Sequence, residues 1–149
     1  SVVPAFPFIA LVLAALALIR AGAHFFELPN KRALDGQAYL TVQQIYAGWG
    51  LFGIALIGSL AANLALAVAV RRERIACVFA TAAFASMLTV LLLFFAFVYP
   101  MNAATENWTV MPENWEALRM QWEYGHAVNA VLTFVAFVCV SLSVVVGRR

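Results

Sequence analysis

His24, Glu27, Glu123 and His126 are ionisable residues in or beside stretches that otherwise read as membrane-spanning, and Arg20 and Arg119 lie about one helical turn from them. Charge within a bilayer is costly and as a rule faces a bundle interior, a water-filled cavity or a site. The chain is 65% hydrophobic and only 11% charged, so groups at these depths stand out from an apolar background. Spacing decides which of them can act together. Arg20, His24 and Glu27 follow one another at intervals of four and three, and so share one helix face. Trp115, Arg119, Trp122, His126 and Asn129 recur at four, three, four and three, and form a second face with Glu123 at its flank.

Three chemistries fit these sets. The first is metal binding: His24-x-x-Glu27 and Glu123-x-x-His126 offer one histidine and one carboxylate from each of two helices. The Glu-x-x-His interval is the one used in carboxylate-bridged di-iron bundles, which also draw a Glu from each of two further helices. No such Glu stands at matching depth here, which favours a mononuclear transition-metal site for iron or copper. The second is haem, with His24 and His126 as axial ligands, against which the neighbouring carboxylates count. The third is acid–base chemistry without a metal. There a His–Glu pair in a dry pocket abstracts a phenolic or C–H proton, and Arg20 or Arg119 steadies the resulting oxyanion. A purely structural reading stands beside these: Arg20 with Glu27 or Glu123, and Glu116 with Arg119 and Glu123, neutralise one another and hold two helices together.

The elements that must position these groups follow from hydropathy. Four apolar runs, at about 5–26, 45–70, 75–99 and 113–147, are each long enough to span the hydrocarbon, which takes roughly 20 helical residues. The mean hydropathy of +0.92 excludes an ordinary soluble domain, and nothing suggests nucleic-acid binding. The fold expected is an all-α four-helix transmembrane bundle, residues 1–149 forming a single integral membrane domain. Arg71, Arg72 and Arg74 lie in the short second connection and Arg148 and Arg149 at the chain's end, while six of the seven acids lie on or near the opposite side. The positive-inside rule then puts both termini in the cytoplasm and the connections at 27–44 and 100–114 outside, in a multi-pass protein of a bacterial inner membrane. The first run is read as a retained span, because no basic residue precedes it and Arg20 sits just before its cleavage-like Ala21-Gly22-Ala23.

Local signals refine the plan. Pro4 and Pro7 suit a helix start. Pro29-Asn30 and Asp35-Gly36 predict a loop over 28–38, and Thr41 with Gln44 resembles a capping box opening the second helix. In that helix, Ala55, Ser59 and Asn63, and likewise Gly58 and Ala62, make small-residue stripes that allow close helix approach. Pro100 is expected to end the third helix. The fourth is expected to begin in the polar stretch at 113–123 and continue into the membrane.

The run Pro100-Met101-Asn102, then Trp115-x-x-Leu118-Arg119, then Trp122-x-x-x-His126, resembles the signature of anthrone-oxygenase-like membrane proteins. His24-Phe25-Phe26-Glu27-Leu28-Pro29-Asn30-Lys31, with Gln43-Gln44-Ile45-Tyr46 and Gly48-Trp49 after it, is similar to the bacterial branch of that family. The resemblance spans nearly the whole chain and implies four membrane helices. It also implies oxidation of anthrones to anthraquinones by molecular oxygen, with Asn102, Arg119, Trp122 and His126 as the site residues. Asn129 departs from the pattern, since a basic residue is common three positions after the histidine. The expected function is therefore oxidation of a lipophilic phenol, anthrone or quinol near the outer membrane face. His126 would be base or metal ligand, His24 and Glu123 its partners, and Arg119 and Asn102 would orient the substrate oxygen. Rival expectations are a non-catalytic small subunit of a larger membrane complex, a homo-oligomer, or a haem- or metal-binding electron carrier.

Overall fold

The computed structural model describes residues 5–147; Pro4, Arg148 and Arg149 lie outside that range. Helix α1 covers Ala5–Arg32, α2 Gly36–Gln43, α3 Gly53–Ala69 and α4 Arg74–Leu93. A π turn at Phe94–Val98 joins α4 to α5, Tyr99–Ala104, and α6 covers Trp115–Val146. Four helical stretches, Ala5–Arg32, Trp49–Ala69, Arg74–Ala104 and Trp115–Val146, are long and apolar enough to cross a membrane. The chain is an all-α, multi-pass membrane bundle. In it α1 packs on α3 and α6, and α4 packs on the same two, so α1 and α4 stand at opposite corners.

The inward faces are built from small residues. Ala10, Ala14, Ala17 and Ala21 form the buried stripe of α1, and Ala76, Ala80 and Ala83, continued by Met87 and Val90, that of α4. Bilayer tails are as apolar as leucine, so burying large aliphatic side chains gains little there, whereas small ones let backbones approach and pack. The small-residue stripe expected on the second helix serves this purpose: Ser59 and Asn63 are fully buried, and a Cβ added at Gly58 would lie 3.3 Å from Leu13 of α1. Large side chains such as Ile19, Ile54 and Phe134 point outward.

Four boundaries differ from expectation, each for a local reason. Helix α1 does not stop before 28 but runs through Pro29 to Arg32, because the proline costs one backbone bond and a bend, not the helix. The remaining connection is three residues long, and Asp35, not Thr41, is the cap: its Oδ1 accepts from the Ala38 N–H at 2.9 Å. Thr41 lies inside α2, its hydroxyl donating to the Gln37 carbonyl at 2.9 Å. The second span does not start as a regular helix at 45. It begins with 3₁₀ turns at Gln44–Tyr46 and Trp49–Phe52, separated by Gly48 at a φ of 81°, and becomes α-helical only at Gly53. Pro100 does not end the third span. The π turn before it widens the backbone where proline can neither donate nor tolerate the carbonyl four residues earlier, and the helix resumes to Ala104.

Candidate functional site

At the end of the bundle away from the Arg71–Arg72 turn, α1, the 3₁₀ turns, α4–α5 and α6 enclose a cavity of about 850 Å³. Two features of the sequence open it. The second span there carries Gly48, Gly50 and Gly53, and a Cβ added at Gly50 or Gly53 would meet nothing within 4 Å. Opposite, the π turn shifts Phe94 and Phe95 relative to the register of α4, and both line the cavity.

His24 and His126 meet at the floor. Their rings stack with centroids 4.0 Å apart and planes 25° from parallel. Both are almost fully buried. Aromatic walls surround them: Tyr46 at 4.6 Å and Trp49 at 5.5 Å from His24, and Trp122 at 4.2 Å from His126. The indole N–H of Trp122 donates to Asn102 Oδ1 at 2.8 Å, so Asn102 fixes the tryptophan against the histidines. His24, His126 and Trp122, singled out by spacing, and Asn102, implied by the family resemblance, therefore do converge on one cavity.

The carboxylates go elsewhere. Glu123, fully buried, accepts from Lys31 Nζ at 2.9 Å and from the Tyr39 hydroxyl at 2.8 Å, both on the same Oε1. Glu27 is bonded by the Tyr46 hydroxyl, which in turn accepts from Lys31 Nζ at 3.1 Å. The Lys31 ammonium lies over three rings, 4.4 Å from Trp122, 4.5 Å from Tyr46 and 5.5 Å from Tyr39, so cation–π attraction adds to the ion pair. Burial above all, with the Glu123 carboxylate beside it, pushes the Tyr39 phenol above its ordinary value. Tyr39 is thus a neutral donor at any physiological pH.

Four expectations change on this geometry. Glu27, Glu123, His24 and His126 do not form one ligand set: among the described residues no group of three or more His, Cys, Asp or Glu side chains is placed to hold a metal ion. A metal lies in the plane of each imidazole that binds it, and the planes of two rings stacked at 4.0 Å and only 25° from parallel meet too far from the rings for one ion to bond to both. The same stack leaves no porphyrin-wide gap between His24 and His126, so they do not fit as the two axial ligands of one haem. Arg119 does not line the cavity. It sits two turns above His126, donates to the Leu34 carbonyl at 2.8 Å, and stacks over Trp115 and Tyr39. The cation in the cavity wall is Arg20. The ion-pair network expected around Arg20 and Arg119 is built on Lys31 instead, the one salt bridge among the described residues.

Lys31, Tyr46 and Gln43 stand in the family-like run without an assigned role, and Tyr39 is new to the site. Lys31 also had a signal in spacing, since it follows Arg20, His24 and Glu27 at a further interval of four on a continued helix. Pro29 obscured that continuation. The loop after α5 closes the site from the same end. Glu106, Asn107 and Trp108 have φ values of 48°, 57° and 62°, a left-handed run of three non-glycine residues costing of order 1–2 kcal/mol each. It is held by Thr105, whose Oγ1 accepts from the Trp108 N–H at 3.0 Å, and by Gln44, whose amide donates to the Trp108 carbonyl at 2.9 Å. The run turns Trp108 inward against Trp122 and Tyr39.

No protein-family model, no curated protein and no solved structure matches this chain.

Proposed function

We propose that this chain is an oxidoreductase of a bacterial inner membrane, acting on a lipophilic phenol-, anthrone- or quinol-type molecule near the outer face. The observation that carries the reading is the cavity itself: about 850 Å³, walled by aromatic side chains, with two stacked histidines and an arginine at its base. Ligand sites of this kind run from about 300 to 1,000 Å³ and are mostly apolar with a few converging polar groups. The orientation rests on the basic turn at Arg71, Arg72 and Arg74, which favours the cytoplasmic side and leaves the cavity outside.

In this reading the aromatic walls hold a planar ring system over His126 and His24. Neither imidazole has a carboxylate partner among the described residues, so a ring nitrogen is available to take the proton of an activated C–H or phenolic O–H. Arg20, one turn below His24 on the same helix, stabilises the enolate or phenolate. For an anthrone, the carbanion gives its electrons to dioxygen. A carbon–oxygen bond forms to give a peroxide, which takes back the abstracted proton; loss of the second methylene hydrogen with cleavage of the oxygen–oxygen bond then releases one water, and a ketone remains. The Tyr46 hydroxyl, bonded to the half-exposed Glu27 carboxylate, offers the proton a route from the cavity wall to the surface.

The test is oxygen uptake and quinone absorbance with 1,8-dihydroxyanthrone in mild detergent, above the uncatalysed rate. His126→Asn is expected to lose the catalysed component while keeping the helical signal and thermal midpoint of the parent. Undiminished turnover in that variant refutes the assignment.

A further inference from the structure

We infer that the molecule bound in this cavity is a lipophilic organic anion, a carboxylate or an ionised acidic phenol, whose charge is taken by Arg20. The inference rests on reading the cavity as a ligand site and adds the charge and orientation of what fills it.

The argument is one of charge balance within a membrane bundle. Two cations of α1 lie at or near the membrane-embedded face of the site, Arg20 and Lys31. Lys31 is almost completely buried and fully compensated by Glu123, Tyr46 and three ring faces. Arg20 is half-buried, lines the cavity, and has neither ion pair nor hydrogen bond among the described residues. An uncompensated charge at this depth is costly. Among the described residues the only carboxylate lining the cavity belongs to Glu106, on the exposed left-handed turn, and it makes no ion pair with Arg20. The two histidines beside Arg20 cannot neutralise it, because imidazole carries no negative charge at neutral pH.

Helix geometry aims Arg20 at empty space. Leu13, two turns earlier on the same face of α1, meets Gly58 of α3. Two turns further along, the antiparallel partner has given way to the 3₁₀ stretch with Gly50 and Gly53, beside which the space is open. A ligand whose anionic head meets Arg20 has its apolar body bounded by Leu56 and Ile57 on one side and by Phe94 and Phe95 on the other. Ile57 and Phe95 are about half exposed on the lipid-facing surface of the bundle, so that end of the cavity borders the bilayer. A charged head buried beside arginine and an apolar tail toward lipid describe an amphiphilic acid.

The test compares anthracene-9-carboxylate, ionised at pH 7, with the neutral anthracene-9-carboxamide. Each is titrated into protein in phosphate-free maltoside micelles and followed by quenching of tryptophan fluorescence. The carboxylate is expected to bind roughly tenfold or more tightly than the amide, the fold-change of a charge-assisted hydrogen bond. Arg20→Gln is expected to remove that preference, bringing the carboxylate's affinity to that of the amide in the same variant, and Arg20→Lys to retain most of it. The helical signal and thermal midpoint of each variant, compared with the parent, show that it is folded. Equal affinities for the two probes in the parent protein, or a preference that survives Arg20→Gln, overturns the inference. So does displacement of the carboxylate by short-chain phosphatidylglycerol at equal concentration, which would assign Arg20 to lipid headgroups. Neither measurement uses turnover. Loss of anthrone oxidation with the Arg20-dependent preference intact refutes the catalytic reading alone, and the reverse result refutes only this one.

Discussion

Replacing Lys31 by methionine keeps the length and most of the apolar stem of the side chain and removes the ammonium that holds Glu123. The carboxylate left behind is fully buried, keeps the Tyr39 hydroxyl on Oε1 at 2.8 Å, and has no partner for Oε2. Breaking a buried ion pair from one side typically costs about 3–5 kcal/mol, because the surviving charge is uncompensated. The remaining Tyr39 bond offsets part of this and the lost cation–π contacts add to it, so we expect about 3–4 kcal/mol for Lys31→Met. Glu123→Gln strands Lys31 in the same way, less severely, since its ammonium keeps the Tyr46 oxygen and three ring faces. The double variant Lys31→Met with Glu123→Gln removes both charges and is expected to lie within about 2 kcal/mol of the parent, less than the sum of the single changes by at least about 2 kcal/mol. Equilibrium unfolding in mixed micelles of maltoside and dodecyl sulfate, followed by circular dichroism, measures all four proteins. A Lys31→Met variant within about 1 kcal/mol of the parent, or single effects that simply add, would refute the buried pair as the tie between α1 and α6.

Other outcomes follow from neighbouring geometry. Tyr39 ionises at higher pH folded than unfolded, so its contribution is complete below the ordinary phenol value of 10.0 and lost as pH rises beyond it. Unfolding midpoints measured from pH 8 to 11 should fall at the alkaline end, and less steeply in Tyr39→Phe; identical slopes would count against the Tyr39–Glu123 bond. Arg119→Gln is expected to cost about 1–2 kcal/mol through the lost Leu34 bond and two cation–π contacts, yet to leave anthracene-9-carboxamide binding unchanged by fluorescence titration. Gly53→Leu, whose side chain would enter open space, should lower that binding without lowering the thermal midpoint. Thr105→Val leaves the Trp108 N–H without its acceptor in an already strained turn, and is expected to cost about 1–3 kcal/mol in the same unfolding assay.

Much of this architecture was legible in the residues alone. Hydrophobic runs longer than a bilayer is thick leave a chain no choice but helices, since every backbone group in lipid must be bonded internally. Helical intervals put His24 on one stripe and Trp122 and His126 on another, and the alternation of spans put both stripes at one end of the bundle. Those statements depend only on period and length, which tertiary contacts do not alter. What the tertiary structure decided concerns partners and heights. Whether Pro29 ends α1 depends on whether the surroundings repay one missing hydrogen bond; here the helix continues, carries Lys31 inward and gives Glu123 its counter-charge. Arg20 and Arg119 are equal as sequence features, each about one turn from a histidine or glutamate on its own helix. Only the packed bundle separates them, because the glycine-rich break before α3 opens space beside Arg20, whereas the connection at residues 33–35 brings a carbonyl to Arg119. The ring stack of His24 on His126 is likewise invisible to spacing, which fixes depth and face but not the angle at which two side chains from different helices meet.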